Sequence, residues 1–425
     1  MIAITRFFYN YVFLPLFISA LYLLSFFNDK VKRGFNERES ERNELPDKIN
    51  ALDKRRKNIW FHSSSLGEFE QAKPIIEKLW NEENVNIIVT FFSPSGYENS
   101  IKYPYANIVT YIPLDTKARC KNFVETIQPD TVVFMRYDIW PNMVFELSEK
   151  EIPILLVDAT MRKGSPRKIG FSNKFHSHIY KKINKILTVS EEDRKNFLEF
   201  DLDENKVVIV GDTRFDRVYQ KSIVAKDKKL FSENIFSGKK VIVLGSSWPA
   251  DEEVILPALL KIMTKSPEVI LIIAPHEPTI QHLEKLEGQI SPELDTIRFS
   301  YMNNYQNQRV ILINSIGILL SLYYYADIAY VGGGFKQGIH NVLEPAVYGI
   351  PVLFGPKFQN SQEAFSIIEE GGARVIHTKK EAFRILKKLF DDDDYRKNLG
   401  NISAQYVKKN TGATAKIFEE IVSYL

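Results

Sequence analysis

From residue 57 onward, short runs of β-branched and other apolar residues alternate with stretches whose apolar positions recur every three to four residues. That alternation is the pattern of strand–helix–strand units in a parallel sheet, whose strands are covered on both faces and so read as continuous apolar runs. The spacing predicts strands at residues 59–61, 86–92, 131–135, 154–157, 185–189 and 207–210. After a polar stretch at 226–229 the pattern restarts, with strands expected at 241–245, 269–274, 310–313, 328–331, 351–354 and 373–376. The fold class is therefore α/β, with two doubly wound domains. Ligands of such sheets lie beyond the carboxyl ends of the strands, which makes the cleft between the domains the expected site.

The first residues follow another pattern. Residues 7–27 form an almost uncharged apolar stretch of about the length needed to cross a hydrocarbon core. Asn10 and Pro15 interrupt it, so a tilted or kinked span and an interfacial helix are both compatible with it. Lys30, Lys32 and Arg33 on one flank outnumber Arg6 on the other, which places the body of the chain on the cytoplasmic side. A cleaved signal peptide is the alternative, but the apolar stretch is long for one and no small-residue cleavage site follows it. Residues 28–50 look like a polar connector. The expected divisions are an anchor at 1–28, a first α/β domain at 29–225, a second at 226–400 and a closing helical segment at 401–425.

A chain of 425 residues exceeds what one hydrophobic core organises, in keeping with two domains. A hydrophobic fraction of 44% and a charged fraction of 26% are those of a folded globular protein, and a net charge of +3 is too small for a nucleic-acid binder. Cys120 stands alone, which excludes an intramolecular disulfide framework and fits a reducing compartment. No Cys/His cluster has zinc spacing, and neither a G-x-G-x-x-G nor a Walker motif is present.

Three constellations carry chemical content. After the first strand comes His62-Ser63-Ser64-Ser65-Leu66-Gly67-Glu68, then a helical pattern. Glu68 at a strand-to-helix turn is favoured in its ionised form and suits proton abstraction from an attacking hydroxyl. Ser65 and Glu68 equally match a capping box, in which the glutamate only satisfies backbone donors. The second is Gly245-Ser246-Ser247, small residues at a strand end that suit either a phosphate or a plain tight turn. The third joins Gly332-Gly333-Gly334 to His340-Asn341-Val342-Leu343-Glu344-Pro345 and to Gly349-Ile350-Pro351-Val352-Leu353-Phe354-Gly355-Pro356. A glycine turn there delivers Asn341 to a helix start that can hold phosphate, with Glu344 one turn on to accept from ribose hydroxyls. The local alternative makes Asn341 an N-cap and Glu344 its N3 carboxylate.

Taken together, the glycine turn, the H-N-x-L-E-P helix start and the G-x-P-V-L-F-G-P strand resemble the donor domain of bacterial 3-deoxy-D-manno-octulosonic acid (Kdo) transferases of the lipid A Kdo transferase family. The resemblance runs through Ser65 to Glu68, Pro94 and Gly96, Pro113-Leu114-Asp115, Trp140-Pro141-Asn142, Ser190 to Asp193, Gly211, Phe215-Asp216, Gly245-Ser246, Pro275-His276 and Gly317, in family order. It implies two Rossmann-like domains of the GT-B type behind an N-terminal membrane-anchor helix, with the last helix packing back on the first domain. The implied activity is inverting, metal-independent transfer of Kdo from CMP-Kdo to a lipid A precursor, lipid IVA, in lipopolysaccharide biosynthesis, with no cofactor besides the donor substrate. The implied setting is the cytoplasmic face of the inner membrane of a Gram-negative bacterium, with no nucleic acid as partner. Glu68 carries over as the general base. Donor contacts carry over to Gly245, Ser246, His276, Gly317, Gly333, Asn341 and Glu344, and the acceptor side to Ser65, Gly67, Arg136 and Asp138.

Three segments depart from the commonest family pattern. Arg136-Tyr137-Asp138-Ile139 stands where many members have E-T-E, His276-Glu277 where many have an arginine, and Asp158-Ala159-Thr160 in place of N-A-R. Arg136 and Lys336 are the candidate partners of the sugar carboxylate, and a solvated cation is the alternative for Lys336. Two other functions fit the same pattern: a GT-B transferase of a membrane lipid with a UDP-sugar donor, and a non-catalytic membrane scaffold.

Overall fold

The computed structural model describes residues 2–232 and 234–425. The chain divides into two compact units, the first running to Arg217 and including Thr411–Leu425, the second spanning Val218–Asn410.

The first unit is built on seven parallel strands: β1 (Lys57–Ser63), β2 (Val85–Phe91), β3 (Ile108–Tyr111), β4 (Thr131–Met135), β5 (Ile154–Ala159), β6 (Lys185–Thr188) and β7 (Val207–Ile209). Their order is β3-β2-β1-β4-β5-β6-β7, the doubly wound arrangement whose switch point lies beside β1. Trp60 pairs in register with Ile88 and Val132. Because successive residues of a strand face opposite sides, Trp60, Ile88, Val132 and Phe134 enter one core while Ile59, Phe61, Val89 and Val133 enter the other. The helix Ala413–Val422 closes the second of these cores with Ala413, Ile417 and Ile421. Asp216 fixes its start, accepting from the backbone N–H of Gly412 at 2.6 Å and of Thr414 at 2.7 Å.

The second unit repeats the principle with β8 (Lys240–Ser247), β9 (Val269–Pro275), β10 (Thr296–Arg298), β11 (Val310–Leu312), β12 (Ile328–Val331), β13 (Val352–Phe354) and β14 (Ala373–Val375). The order is β10-β11-β9-β8-β12-β13-β14. Ile242, Leu244 and Leu271 face one layer and Val241, Val243 and Ile270 the other. The α/β class with two parallel sheets is as the pattern predicted; β3 and β10 are additional strands.

The N-terminal segment is helical from Ile2 to Ser25, with a π-helical turn at Tyr9–Phe13 just before Pro15. Proline supplies no N–H to the helix ladder, and the wider turn takes up the mismatch. Ile4–Ser25 is long and apolar enough to cross a membrane. One side of the segment touches the first unit: the Tyr9 hydroxyl donates to Asp115 at 2.7 Å, Asn142 donates to Asn10 at 2.7 Å, and Leu14 is buried. The other side leaves Phe7, Phe8, Tyr11, Phe13, Leu16, Phe26 and Phe27 exposed.

Residues 28–50 are not a connector. They form the helix Asp29–Asn50, begun by Asn28, whose side chain accepts from the N–H groups of Lys30 and Val31. Its buried stripe is Gly34, Glu41, Leu45 and Ile49. Only two of these four are apolar, so hydropathy alone does not reveal the packed face. Glu41 is compensated by Lys48 at 2.9 Å and by the Tyr97 hydroxyl at 2.7 Å. Gly34 permits close approach, since a Cβ there would lie 2.6 Å from the ring of Pro94.

Candidate functional site

At the carboxyl end of β1, the chain turns through Ser64 and Ser65 into the helix Leu66–Glu82. Glu68 occupies the third position of that helix and is buried. Its Oε2 accepts from the N–H of Ser64 at 2.7 Å and of Ser65 at 3.3 Å. Capping is thus real, and it uses one oxygen; Oε1 accepts no hydrogen bond among the described residues. Burial raises the pKa of this carboxyl, with the negative charge of Asp138 adding to it, against the backbone bonds and the nearby His62. A carboxylate so placed is a stronger base than an ordinary surface glutamate. Gly67 is exposed, and a Cβ there would meet only Ser65 Oγ, at 3.9 Å, so the ground before Glu68 is open.

Asp138 follows β4 and stands next to this turn. It bonds His62 Nε2 at 2.8 Å and accepts from Trp140 Nε1 at 3.4 Å. Burial by itself would raise its pKa, yet the bonds from His62, Ser64 and Trp140 hold it below the usual carboxylate range. Wholly buried His62 is in turn bonded through Nδ1 to Thr90 Oγ1 at 2.9 Å, and Trp60 Nε1 donates to the same oxygen at 2.8 Å. The result is one carboxylate kept ionised by donors beside another raised towards neutrality, the divergence expected where two carboxyls take different roles. His62 was visible in the motif but carried no assigned part; its signal is the packing of β1 against β2, which a linear sequence does not display.

Arg136 sits at the end of β4 with φ 61°, a left-handed conformation unusual for a residue with a side chain. Its Nε is buried without a partner among the described residues, and with the Gln71 amide turned so that its oxygen faces the guanidinium, Nη1 donates to that oxygen at 3.1 Å. In β5, Asp158 likewise has φ 49° and is buried; burial and the charge of Asp212 raise its pKa, opposed by Thr213 and Arg136. Ser65, Gly67, Glu68, Arg136 and Asp138 therefore lie on turns leaving neighbouring strands β1 and β4.

In the second unit, Gly245 and Ser246 end β8, and Ser246 takes φ 50°. A Cβ on Gly245 would fall 1.9 Å from the Tyr323 hydroxyl. The turn Gly332-Gly333-Gly334 leaves β12 alongside it. Gly332 would place a Cβ 2.1 Å from the Ser246 carbonyl oxygen, Gly333 one 2.2 Å from that of Gly338, and Gly334 one 2.5 Å from Gly355 N. These glycines let backbone meet backbone. Buried Asp251 ties the arrangement, accepting from Gly333 N at 2.8 Å, Tyr330 Oη at 2.7 Å and Trp248 N at 3.0 Å.

His276, after β9, donates its N–H to the Ser247 carbonyl at 2.9 Å. Its ring stacks on Trp248 with centroids 4.5 Å apart and lies at the same distance from His340. Burial and the neighbouring His276 lower the pKa of His340. Exposed Asn341 accepts from Leu343 N at 3.0 Å, but the short helix Leu343–Ala346 has Val342 at its cap position, so Asn341 stands one residue outside it. Burial raises the pKa of Glu344, with Lys221 and Asn341 opposing. Gly317, with φ 81°, turns the loop between β11 and the helix Leu319–Tyr323, and no heavy atom would meet a Cβ there within 4 Å. The expected donor residues thus occupy turns at the carboxyl ends of β8, β9, β11 and β12. Lys336 is exposed on the loop after β12. Trp248, Asp251 and His340 complete the group and had no assigned role in the sequence.

Residues 36–217 match the model of a family described as 3-deoxy-D-manno-octulosonic-acid transferase (kdotransferase). A 3-deoxy-D-manno-octulosonic acid transferase of Haemophilus influenzae is 25% identical over 86% of this chain and 87% of its own length. One from Rickettsia bellii is 26% identical over 86% of this chain and 87% of its own. Among solved structures, a UDP-GlcNAc 2-epimerase from Neisseria meningitidis bound to UDP-GlcNAc superposes with a TM-score of 0.63 at 14% identity, over 86% of this chain and 100% of that one. That likeness concerns the fold.

Proposed function

We propose that this chain, a glycosyltransferase similar to the Kdo transferases over most of its length, moves Kdo from CMP-Kdo to a hydroxyl of a lipid A precursor such as lipid IVA. The observation that carries the mechanism is the divided carboxylate of Glu68, with Oε2 held by two backbone N–H groups and Oε1 unengaged. Oε1 takes the proton of the acceptor hydroxyl as its oxygen bonds to the anomeric carbon. The bond from that carbon to the CMP phosphate oxygen breaks, and CMP leaves with the electron pair. Direct displacement inverts the anomeric carbon, and the step as written uses no metal ion.

In the second unit, the turns at Gly245-Ser246 and Gly332 to Gly334 and the side chain of Asn341 would receive the departing phosphate, whose growing negative charge is the quantity to stabilise. Glu344 would accept from the ribose hydroxyls, and the Trp248–His276 stack together with the Gly317 turn offers surfaces for the base. In the first unit, Arg136 would face an anionic group of the acceptor or the sugar carboxylate. The apolar helix would seat the chain on the inner membrane, with the catalytic units on the cytoplasmic face, where a lipid acceptor resides.

Glu68→Gln separates the two roles of this side chain, because glutamine still accepts from the Ser64 and Ser65 amides but cannot take the proton. The test is acceptor-dependent CMP release in detergent from CMP-Kdo generated in situ, with a tetraacylated lipid A precursor. Wild type should turn over and Glu68→Gln should lose about 10²- to 10⁴-fold in kcat while binding CMP unchanged. Turnover with a UDP-sugar and none with CMP-Kdo would overturn the donor; full activity in Glu68→Gln would overturn the base.

A further inference from the structure

A pocket lies between the helix Asp29–Asn50 and the segment after β3, lined by Phe35, Arg38, Arg42, Ile112, Leu114 and Arg119 among others. Its floor is apolar, with Ile112 and Leu114 buried together with Leu45 and Phe123. Three arginines surround it against one acidic lining residue, Glu39, which pairs with Arg42 at 3.6 Å. Arg38 is fixed at the back: Nε donates to the Ile112 carbonyl at 3.3 Å, Nη1 to that of Gly34 at 3.1 Å, and Nη2 to that of Phe92. Its guanidinium also lies 4.8 Å from the Phe92 ring centroid and 4.9 Å from that of Tyr111. Burial lowers the pKa of Arg38 to about 10, with Tyr111 and Glu37 opposing and Arg119 adding to the effect, so the pocket holds cations that repel one another. Arg42 and Arg119 are exposed at the mouth.

Next to that mouth is the apolar N-terminal helix. Phe35 meets Tyr22 edge-on at 6.4 Å, and Tyr22 belongs to a helix that leaves Leu23, Leu24 and Phe26 exposed. An apolar floor and three guanidinium groups facing a single carboxylate, continuous with a helix suited to lipid, match a headgroup phosphate with hydrocarbon attached. We infer that this pocket binds the phosphate of an anionic membrane phospholipid through Arg42 and Arg119, with Arg38 as the fixed charge behind them. The inference goes beyond the transfer reaction and rests on the membrane seating of the N-terminal helix.

The test uses the full chain and flotation with vesicles of phosphatidylcholine alone or with phosphatidylglycerol added. Binding to neutral vesicles should occur through the apolar helix and should strengthen with phosphatidylglycerol. In Arg42→Gln/Arg119→Gln the neutral binding should remain while the gain falls by about 30-fold, at about 1 kcal/mol per basic residue. Lys117 and Lys121 are exposed on the helix Lys117–Ile127 and do not line the pocket, so Lys117→Gln/Lys121→Gln should keep most of the gain. Glycerol phosphate in solution should compete only weakly if the attached hydrocarbon contributes. Equal loss in both double variants, or no gain with phosphatidylglycerol, overturns the pocket. Failure to bind neutral vesicles overturns the membrane seating itself.

Discussion

The two units present opposite materials at the same end of similar sheets. The first gathers titratable side chains: Glu68, Asp138, His62, Arg136 and Asp158 crowd the carboxyl ends of β1, β4 and β5 and the turns that leave β1 and β4, and three of them have displaced pKa values. The second gathers mainly backbone, with glycines packed against carbonyl oxygens and amides and a buried aspartate holding them together, and His340 and Glu344 beside them have displaced pKa values. Proton transfer needs a side chain whose basicity can be tuned by its surroundings. Holding a phosphate on main-chain N–H groups needs close backbone approach, which glycine permits. On the proposed function, the difference between the units would be the difference between activating an acceptor and receiving a leaving group.

The sharpest way to break the contrast is Gly332→Ala. The new Cβ would overlap the Ser246 carbonyl with no flexible side chain to yield, and the expected cost is about 3 kcal/mol or more. Gly67→Ala, in open space, should change stability by no more than about 0.5 kcal/mol. Urea denaturation of both variants reads the two values, and equal effects would show that the second unit's glycines are not sterically required.

A smaller effect concerns pH. Burial raises the pKa of Asp115 to about 6, against hydrogen bonds from Asn142, Tyr9 and others. The unfolded value is about 3.9, so the fold favours the protonated carboxyl. That contribution is complete below about pH 4 and disappears as pH rises through about 6, a loss of about 3 kcal/mol at roughly 1.4 kcal/mol per unit. The fluorescence of Trp60, Trp80 and Trp140 in the first unit should follow this decline in urea titrations, and Asp115→Asn should flatten it.

The finest effect is on the rate. As the proposed base Glu68 would act deprotonated, so kcat/KM should climb tenfold per pH unit until its raised pKa and then level. Asp138→Asn removes a negative charge that raises this pKa, and the acidic limb should move to lower pH. An unmoved limb, measured by CMP release across pH, would separate the two carboxyls.

Much of this organisation is written locally. The runs that became β4 and β12 ended where their apolar residues ended, because a strand buried on both faces must be apolar throughout. At the edges the signal weakens. Thr296–Arg298 is three residues long with a single buried one, and no pattern marks it. Ile108–Tyr111 carries β-branched residues but is only four residues long, too brief for its pattern to mark a strand in the sequence. The helix Asp29–Asn50 escaped because part of its packed stripe is polar, and only Lys48 and Tyr97 explain why Glu41 can be buried.

By itself the sequence determined the α/β class, the apolar first helix, the turns that bear Glu68, Gly245, Gly333 and Asn341, and the resemblance to Kdo transferases. Periodicity, glycine placement and motif spacing depend on neighbours along the chain, and all of these are visible there. Tertiary structure alone decided that Glu68 has one oxygen tied and one free, that Asp138 stays ionised beside it, that Asp251 ties the glycine turn to β8, and that Arg38, Arg42 and Arg119 share one pocket. Each of these is set by burial and by charges brought together from distant parts of the chain, and electrostatic effects of that kind exist only once the partners meet.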